Sequence, residues 1–286
     1  MPRFITAILI SCASFVSGCA TLSKSSFSSP DEPRAISKKI IEIAREKHGY
    51  KGFKADGHFY TVDFVSKLAE IEEGRAERLV CFSQAPDQIM KYNAVPVSIF
   101  GIFSWKNRSN IVNALHSLHG GDHEAVGKRR EALELLVRES YGERKPDWQT
   151  GFLIHALGDS YAHVRGSYDS PTAYGELVGH GFAFQNPDNI FAGENYRKYN
   201  AYVLSLFDAL ANPENTQGRI RLVEFTQQIE RMVVNSKSNP KDLKPILLSE
   251  TANGFNFNSC YRFYPEIDEA EAKNFLSDLA ERLRKR

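Results

Sequence analysis

Cysteine is scarce in this chain. Four among 286 residues are too few for a disulfide-framework protein. An excess of charge of either sign is also missing. Thirty-six basic side chains face 35 acidic ones, so no global field draws the protein to nucleic acid or to an anionic membrane. The composition, 42% hydrophobic and 25% charged, is that of a soluble globular protein and excludes a disordered, collagen-like or multispanning chain. Alternating strand patterns are rare, residues 95–102 being the best exception, and there is neither an internal repeat nor an internal linker. No Gly-x-Ser-x-Gly elbow or Walker loop is present to support serine-nucleophile or P-loop chemistry. What stands out is the placement of histidine. Seven of the eight (His58, His116, His119, His123, His155, His163 and His180) fall between residues 58 and 180.

The first residues read as an address. Arg3 gives a basic start and residues 4–16 a short apolar run, too short for a spanning helix. The run ends in Val16-Ser17-Gly18-Cys19, which resembles a bacterial lipobox. That resemblance implies a signal peptide over residues 1–18, cleavage before Cys19, and acylation of its thiol and new amine. Ala20 follows where an aspartate would favour the inner membrane, so the expected location is the outer membrane, on its periplasmic face unless exported further. Cleavage removes one charged residue, Arg3, and leaves a balanced mature chain. Residues 19–34, rich in Ser, Pro and charge, read as the lipidated cysteine and a flexible tether. Cys12 leaves with the signal. Cys81 and Cys260 then either pair in an oxidising compartment or leave Cys81 as a buried thiol.

Residues 35–286 read as one all-α domain. Apolar residues recur at helical spacing from Ile36 to Ile43 and over residues 59–69, 76–85, 111–118 and 132–137. Asp147 reads as the N-cap of a helix over 148–164. Residues 199–210, 220–234, 243–248 and 266–284 complete the set, the last with acids at its start and bases at its end, as the helix dipole favours.

The most informative segment is Gly151-Phe-Leu-Ile-His155-Ala-Leu-Gly-Asp159-Ser-Tyr-Ala-His163. Residues four apart share a helix face, so His155, Asp159 and His163 form a ladder about 12 Å long at 1.5 Å per residue. The flanking residues are apolar, and a carboxylate against a dry core needs compensation. A divalent metal supplies it, and Asp159 between two histidines suits a bridge between two ions. A hydrogen-bonded His–Asp–His structural cluster is the competing reading. Gly158 removes bulk beside the aspartate.

These residues, with an Ala-Pro-Asp upstream and a His-bearing loop before the helix, resemble the zinc-dependent phospholipase C and P1-type nuclease superfamily. The resemblance spans roughly residues 55–190 and implies an all-helical fold holding two or three zinc ions. It maps His155 and Asp159 onto the family's His-x-x-x-Asp pair, His163 onto the next histidine of that helix, and Asp87 onto a loop ligand often acting as general base. His58 matches an early N-terminal histidine. One of His116 and His119 corresponds to a loop ligand, His119 being favoured because it lies nearest the loop. Gly120-Gly121 breaks the helix there and makes Asp122 the next N-cap, leaving His123 exposed. His180 and Asp188 complete the candidates. The carboxylate expected one turn after His180 is replaced by Phe184, for which Glu176 or Asp188 substitutes. A free terminal amine, used as a ligand in relatives, is replaced here by acylated Cys19, with Asp56 or Asp63 as stand-ins.

The function that follows is a membrane-anchored, zinc-dependent phosphoesterase, most simply a phospholipase C-like hydrolase using metal-activated water, with Asp87 accepting its proton. Phe100, Phe103, Trp105, Tyr161, Phe182 and Phe184 are candidates for an apolar groove, each competing with a plain core role. The alternatives are a P1-type nuclease, disfavoured by the balanced charge, and a non-catalytic lipoprotein acting on a protein partner.

Overall fold

A computed structural model describes residues 56–100, 105–175, 190–235 and 255–285. The signal and tether, the first amphipathic stretch, residues 243–248, and Phe103, Glu176, His180, Phe182, Phe184 and Asp188 lie outside the described residues. Helices dominate, as the apolar spacing predicts. A π-helical turn, Asp56–Tyr60, leads into α1 (Thr61–Leu68). Then come α2 (Glu73–Gln88), α3 (Ala94–Phe100) and α4 (Trp105–Ser109), which runs into a second π-helical turn, Asn110–Leu115. Next follow α5 (His123–Gly142) and α6 (Asp147–Ala162). After a two-stranded antiparallel ribbon come α7 (Asn195–Leu210), α8 (Thr216–Asn235), two 3-10 turns and α9 (Glu269–Arg284).

Helix α6 is the axis of this unit. Every residue from 150 to 160 is buried, the signature of a helix covered on all sides. It packs against α2, α5, α7 and the second π turn. The α2–α6 crossing is close because residue 151 is glycine. A Cβ there would meet the Phe82 side chain and lie 2.7 Å from its carbonyl carbon. Phe82, Tyr92, Ile111, Leu115, Trp148, Phe152 and Leu276 fill one core layer, and each fully buried side chain of this size contributes about 1.5–3 kcal/mol.

The ends of the elements follow side-chain chemistry. Asp122 caps α5 by accepting from the Ala125 N–H at 3.1 Å. Asp268 caps α9 by accepting from Glu271 at 2.9 Å, so the terminal helix starts later than residue 266, after a short 3-10 turn. Two expectations are corrected. Asp147 is the first residue inside α6 and not its cap; its carboxylate is engaged by Arg75 at 3.2 Å and Arg78 at 2.8 Å. Residues 95–100 are helical and not a strand, and 101–102 lie outside the described residues. Asn93 Oδ1 accepts from the Val95 N–H at 3.0 Å and starts α3, and Pro96 falls in the first turn, where its missing N–H costs nothing.

Cys81 and Cys260 form a disulfide with Cα atoms 5.0 Å apart, which decides between pairing and a free buried thiol. It fastens the 3-10 turn Phe257–Arg262 to the middle of α2. The ribbon pairs Val164 with Ala173 and Arg165 with Thr172. Its second strand continues past the 119–121 loop, where Gly120 N–H donates to the Tyr174 carbonyl at 2.9 Å and Ala173 N–H to that of Gly121 at 2.9 Å. No described helix is long and apolar enough to cross a membrane.

Candidate metal centre

Three segments bring histidines to one carboxylate. Helix α6 supplies His155 and Asp159, the first π turn supplies His58, and His116 caps the second π turn. Such turns displace a side chain from the α-helical register and recur at functional sites. His58, His155 and Asp159 are at most 1% exposed and His116 is 2% exposed, so the cluster is sealed from bulk water.

Asp159 divides its two oxygens between the segments. Oδ1 faces His58 Nε2 at 3.1 Å. Oδ2 faces His116 Nδ1 at 3.0 Å and His155 Nε2 at 3.2 Å. The far nitrogens of both rings are committed to main-chain carbonyls, which can only accept. His116 Nε2–H donates to the Tyr92 carbonyl at 2.8 Å, and His155 Nδ1–H to that of Ser83 at 2.9 Å. In the neutral rings these bonds leave His116 Nδ1 and His155 Nε2 bare. The two lone pairs lie 3.1 Å apart and both point at a carboxylate oxygen. Three acceptors at this spacing repel one another unless a cation lies among them. It is either an added proton on a ring or a metal ion.

The donor set fits a metal. Donors about 2.0–2.1 Å from a tetrahedral zinc lie roughly 3.3–3.4 Å from one another, close to the spacings of this cluster. Carbonyls that orient ligand imidazoles are what metal sites use to fix the tautomer. Two groups of donors each converge within 4.8 Å, His58–His155–Asp159 and Asp87–His116–His155. They share His155, and Asp159 Oδ2 touches the second. Burial opposes the charge on Asp159, but where protons rather than a metal supply the cation, the protonated rings of His163, His155 and His116 outweigh it. Its carboxyl is held well below the usual range.

Gly158 has a specific task. A Cβ there would lie 2.9 Å from His58 Cε1 and 3.1 Å from Tyr202 Cζ. The space beside the aspartate is therefore taken by the His58 ring, which stacks on His155 with centroids 4.1 Å apart.

Asp87 stands at the edge of the cluster. One of its oxygens is 4.0 Å from His155 Nε2, and its side chain is 13% exposed. His163 comes just after the last turn of α6, not within it. Its Nδ1–H donates to the His116 carbonyl at 2.6 Å, and the same nitrogen is 3.6 Å from Asp159 Oδ2. His163 thereby fastens the His116 loop to the helix, as does Ser117 Oγ, which donates to the Ala156 carbonyl at 2.9 Å.

The preference for His119 over His116 is corrected. Ser117 turns the chain with a φ of 51°, and His119 leaves the cluster to bridge to Gly175 on the ribbon side. His123 is exposed. Asp63 is buried on α1 but belongs to neither converging group. Tyr161 is half-buried beneath Arg130 and not aimed at the cluster. A cleft of about 620 Å³ between α5, α6 and α9 is lined by Gln149, Leu153 and Phe275 and contains no residue of the cluster. The carbonyls of Ser83 and Tyr92 are the contributors that sequence reading misses, since no side-chain pattern marks a carbonyl. No protein-family model, curated protein or solved structure matches the chain, so the centre is interpreted from its own donors and their geometry.

Proposed function

We propose that the chain is a metal-dependent phosphoesterase of the phospholipase C and P1 nuclease kind, carried on a lipid anchor at Cys19. The observation that supports it most is the pair of imidazole nitrogens, on rings oriented by the Ser83 and Tyr92 carbonyls, that converge on one carboxylate. In this reading His58, His116, His155 and Asp159 are the residues that would hold two zinc ions. His163 is reassigned to positioning, because its ring secures the His116 loop. Bound there, divalent ions supply Lewis acidity that activates water and stabilises charge on phosphoryl oxygens.

The chain's own residues do the rest. Ser83 and Tyr92 keep two rings in the tautomers that expose lone pairs inward. Asp87, the cluster's most solvent-accessible carboxylate, accepts a proton from water entering at that edge, with Gln84 Nε2 3.5 Å from its other oxygen. Phe82, Phe152 and Trp148 keep bulk water from the far side. The disulfide accords with an exported protein, since such bonds persist outside the cytosol.

The test combines zinc content with hydrolysis of a chromogenic phosphodiester. Wild type should hold two zinc ions per chain and cleave the ester. His116→Gln should lose metal and rate, whereas His119→Gln should keep its zinc. Equal zinc in wild type and folded His116→Gln would remove the loop histidine from the centre. Zinc without any phosphodiester cleavage would favour the non-catalytic lipoprotein.

A further inference from the structure

The outer side of the same loop carries a second set of polar groups, and all of them are donors or cations. His119 leaves the metal cluster, yet both of its ring nitrogens are shielded from solvent and, apart from an interaction with the Gly120 backbone, have no hydrogen-bond partner among the described residues. Arg129 and Arg130 approach it from α5, and neither has a carboxylate within ion-pair distance among the described residues. Arg129 Nη1 donates to the Asn113 carbonyl at 3.3 Å. Arg130 Nε donates to the Ser160 carbonyl at 3.2 Å, and its guanidinium lies 4.1 Å above the Tyr161 ring. That leaves Arg130 Nη2, a buried charged nitrogen, without a partner. Buried Lys198 is a further cation nearby: burial, and then the charge of Arg130, disfavour its proton, and its Nζ donates to the Val164 carbonyl at 3.4 Å and to Asn195.

The energetics argue against an accident. A buried donor left unpaired costs about 1–3 kcal/mol, more when charged, and native folds rarely keep several together. Burial pushes Arg129 down to about 10 and also lowers Arg130. It pushes His119 down to about 4, with Arg129 adding to the effect. The arginines thus disfavour a proton on His119, and Arg130 disfavours one on Lys198, as like charges do where no carboxylate among the described residues pairs with them. Two acids of the neighbouring elements are already engaged: Glu134 by Arg138 and Ser205, Glu194 by Arg197 and the Tyr168 N–H.

We propose that His119, Arg129 and Arg130 form a binding site for a phosphate-type oxyanion, separate from the metal centre and built on its outer wall. Arginine suits this because its planar fork donates in parallel to phosphate oxygens. Arg130 uses Nε for its carbonyl anchor and keeps Nη2 for the ligand. His119 donates from one ring nitrogen in its neutral form, so it needs no proton from solvent. Arg129 and Arg130 are half-buried and His119 is partly exposed, which leaves an approach from solvent. The two sites share chain segments. His116 and His119 belong to one loop, and Asp159 precedes Ser160, whose carbonyl holds Arg130. The proposal does not depend on the metal reading.

Calorimetric titration of the full-length protein, as purified, with inorganic phosphate tests it. Asp159→Asn should keep the part of the phosphate binding that depends on Arg129 and Arg130. Arg130→Gln and Arg129→Gln should each weaken binding at least tenfold, and the exposed control Arg138→Gln should not change it. Arg130→Lys keeps a cation near the Ser160 carbonyl but loses the fork, so it should fold and bind several-fold more weakly. If Arg130→Gln fails to fold by circular dichroism, Arg130→Lys and His119→Gln carry the decision. Phosphatidylcholine vesicles with and without phosphatidic acid separate the sources of the phosphate. Arginine-dependent binding only to vesicles containing the phosphomonoester assigns a lipid headgroup. Binding of inorganic phosphate without vesicle binding assigns a soluble ligand. Phosphate binding lost in Asp159→Asn but kept in the arginine variants would place the anion at the metal centre and overturn the proposal. So would a wild type that binds neither phosphate nor vesicles.

Discussion

His116 and His119 are three residues apart on one loop, yet only His116 reaches Asp159. Ser117 at a φ of 51° and the two glycines after His119 decide this, because they turn the backbone between and beyond the two rings. Sequence spacing could not separate them; three- and four-residue spacings on a helix would place both on one side. The environment of His119 has a measurable consequence. Its folded value, pushed down to about 4, lies below the ordinary histidine value near 6.5. The unfolded chain therefore binds more protons between those two values. Stability should be full above about pH 6.5 and fall as pH drops towards 4, by an amount on the order of 3 kcal/mol from this residue. Urea unfolding of wild type and His119→Gln across that range, in phosphate-free buffer, checks it. The difference between the two proteins should change with pH; a constant difference would show that His119 titrates alike in both states.

The helices were readable where their chemistry is local. The His155–Asp159 pair was legible because both residues lie on one helix four positions apart, and a carboxylate in an apolar run demands an explanation. His58 and His116 sit on π turns, whose register departs from the 3.6-residue period, so a helical wheel misplaces them. Gly151 and Gly158 both lack a side chain, but they admit different neighbours, α2 in one case and the His58 ring in the other. Residues 95–102 misled because alternation in Val-Pro-Val-Ser resembles a strand, and the capping by Asn93 is a weaker signal. Pairing of Cys81 with Cys260 needed the fold, since the two stand 179 positions apart. The bond holds the C-terminal 3-10 turn against α2 just before Ser83, whose carbonyl fixes His155. Cys260→Ser should cost about 2–5 kcal/mol in denaturant unfolding. A loss below 1 kcal/mol would show that packing alone secures that segment.

On the scale of the whole molecule, the proposal of an anchored phosphoesterase has two parts, the lipid anchor and the metal centre, that are tested separately. Cys19→Ala should abolish acylation and lipoprotein-type cleavage; intact-mass spectrometry of the membrane fraction reads both, and an acylated Cys19→Ala protein would refute the anchor. The central claim concerns Asp159. It meets His58 through one oxygen and His116 and His155 through the other, so one substitution addresses the entire centre. Asp159→Asn keeps the shape and removes the charge. If the cluster is a structural hydrogen-bond network, the amide retains part of the bonding and costs about 1–3 kcal/mol with no change in metal. If it is a metal centre, ions near 2 Å from a carboxylate lose the charge that holds them. The measurement is zinc per folded chain, by mass spectrometry of elements, in wild type and Asp159→Asn. Two ions falling to none supports the centre; equal zinc in the two proteins, or none in wild type, contradicts it.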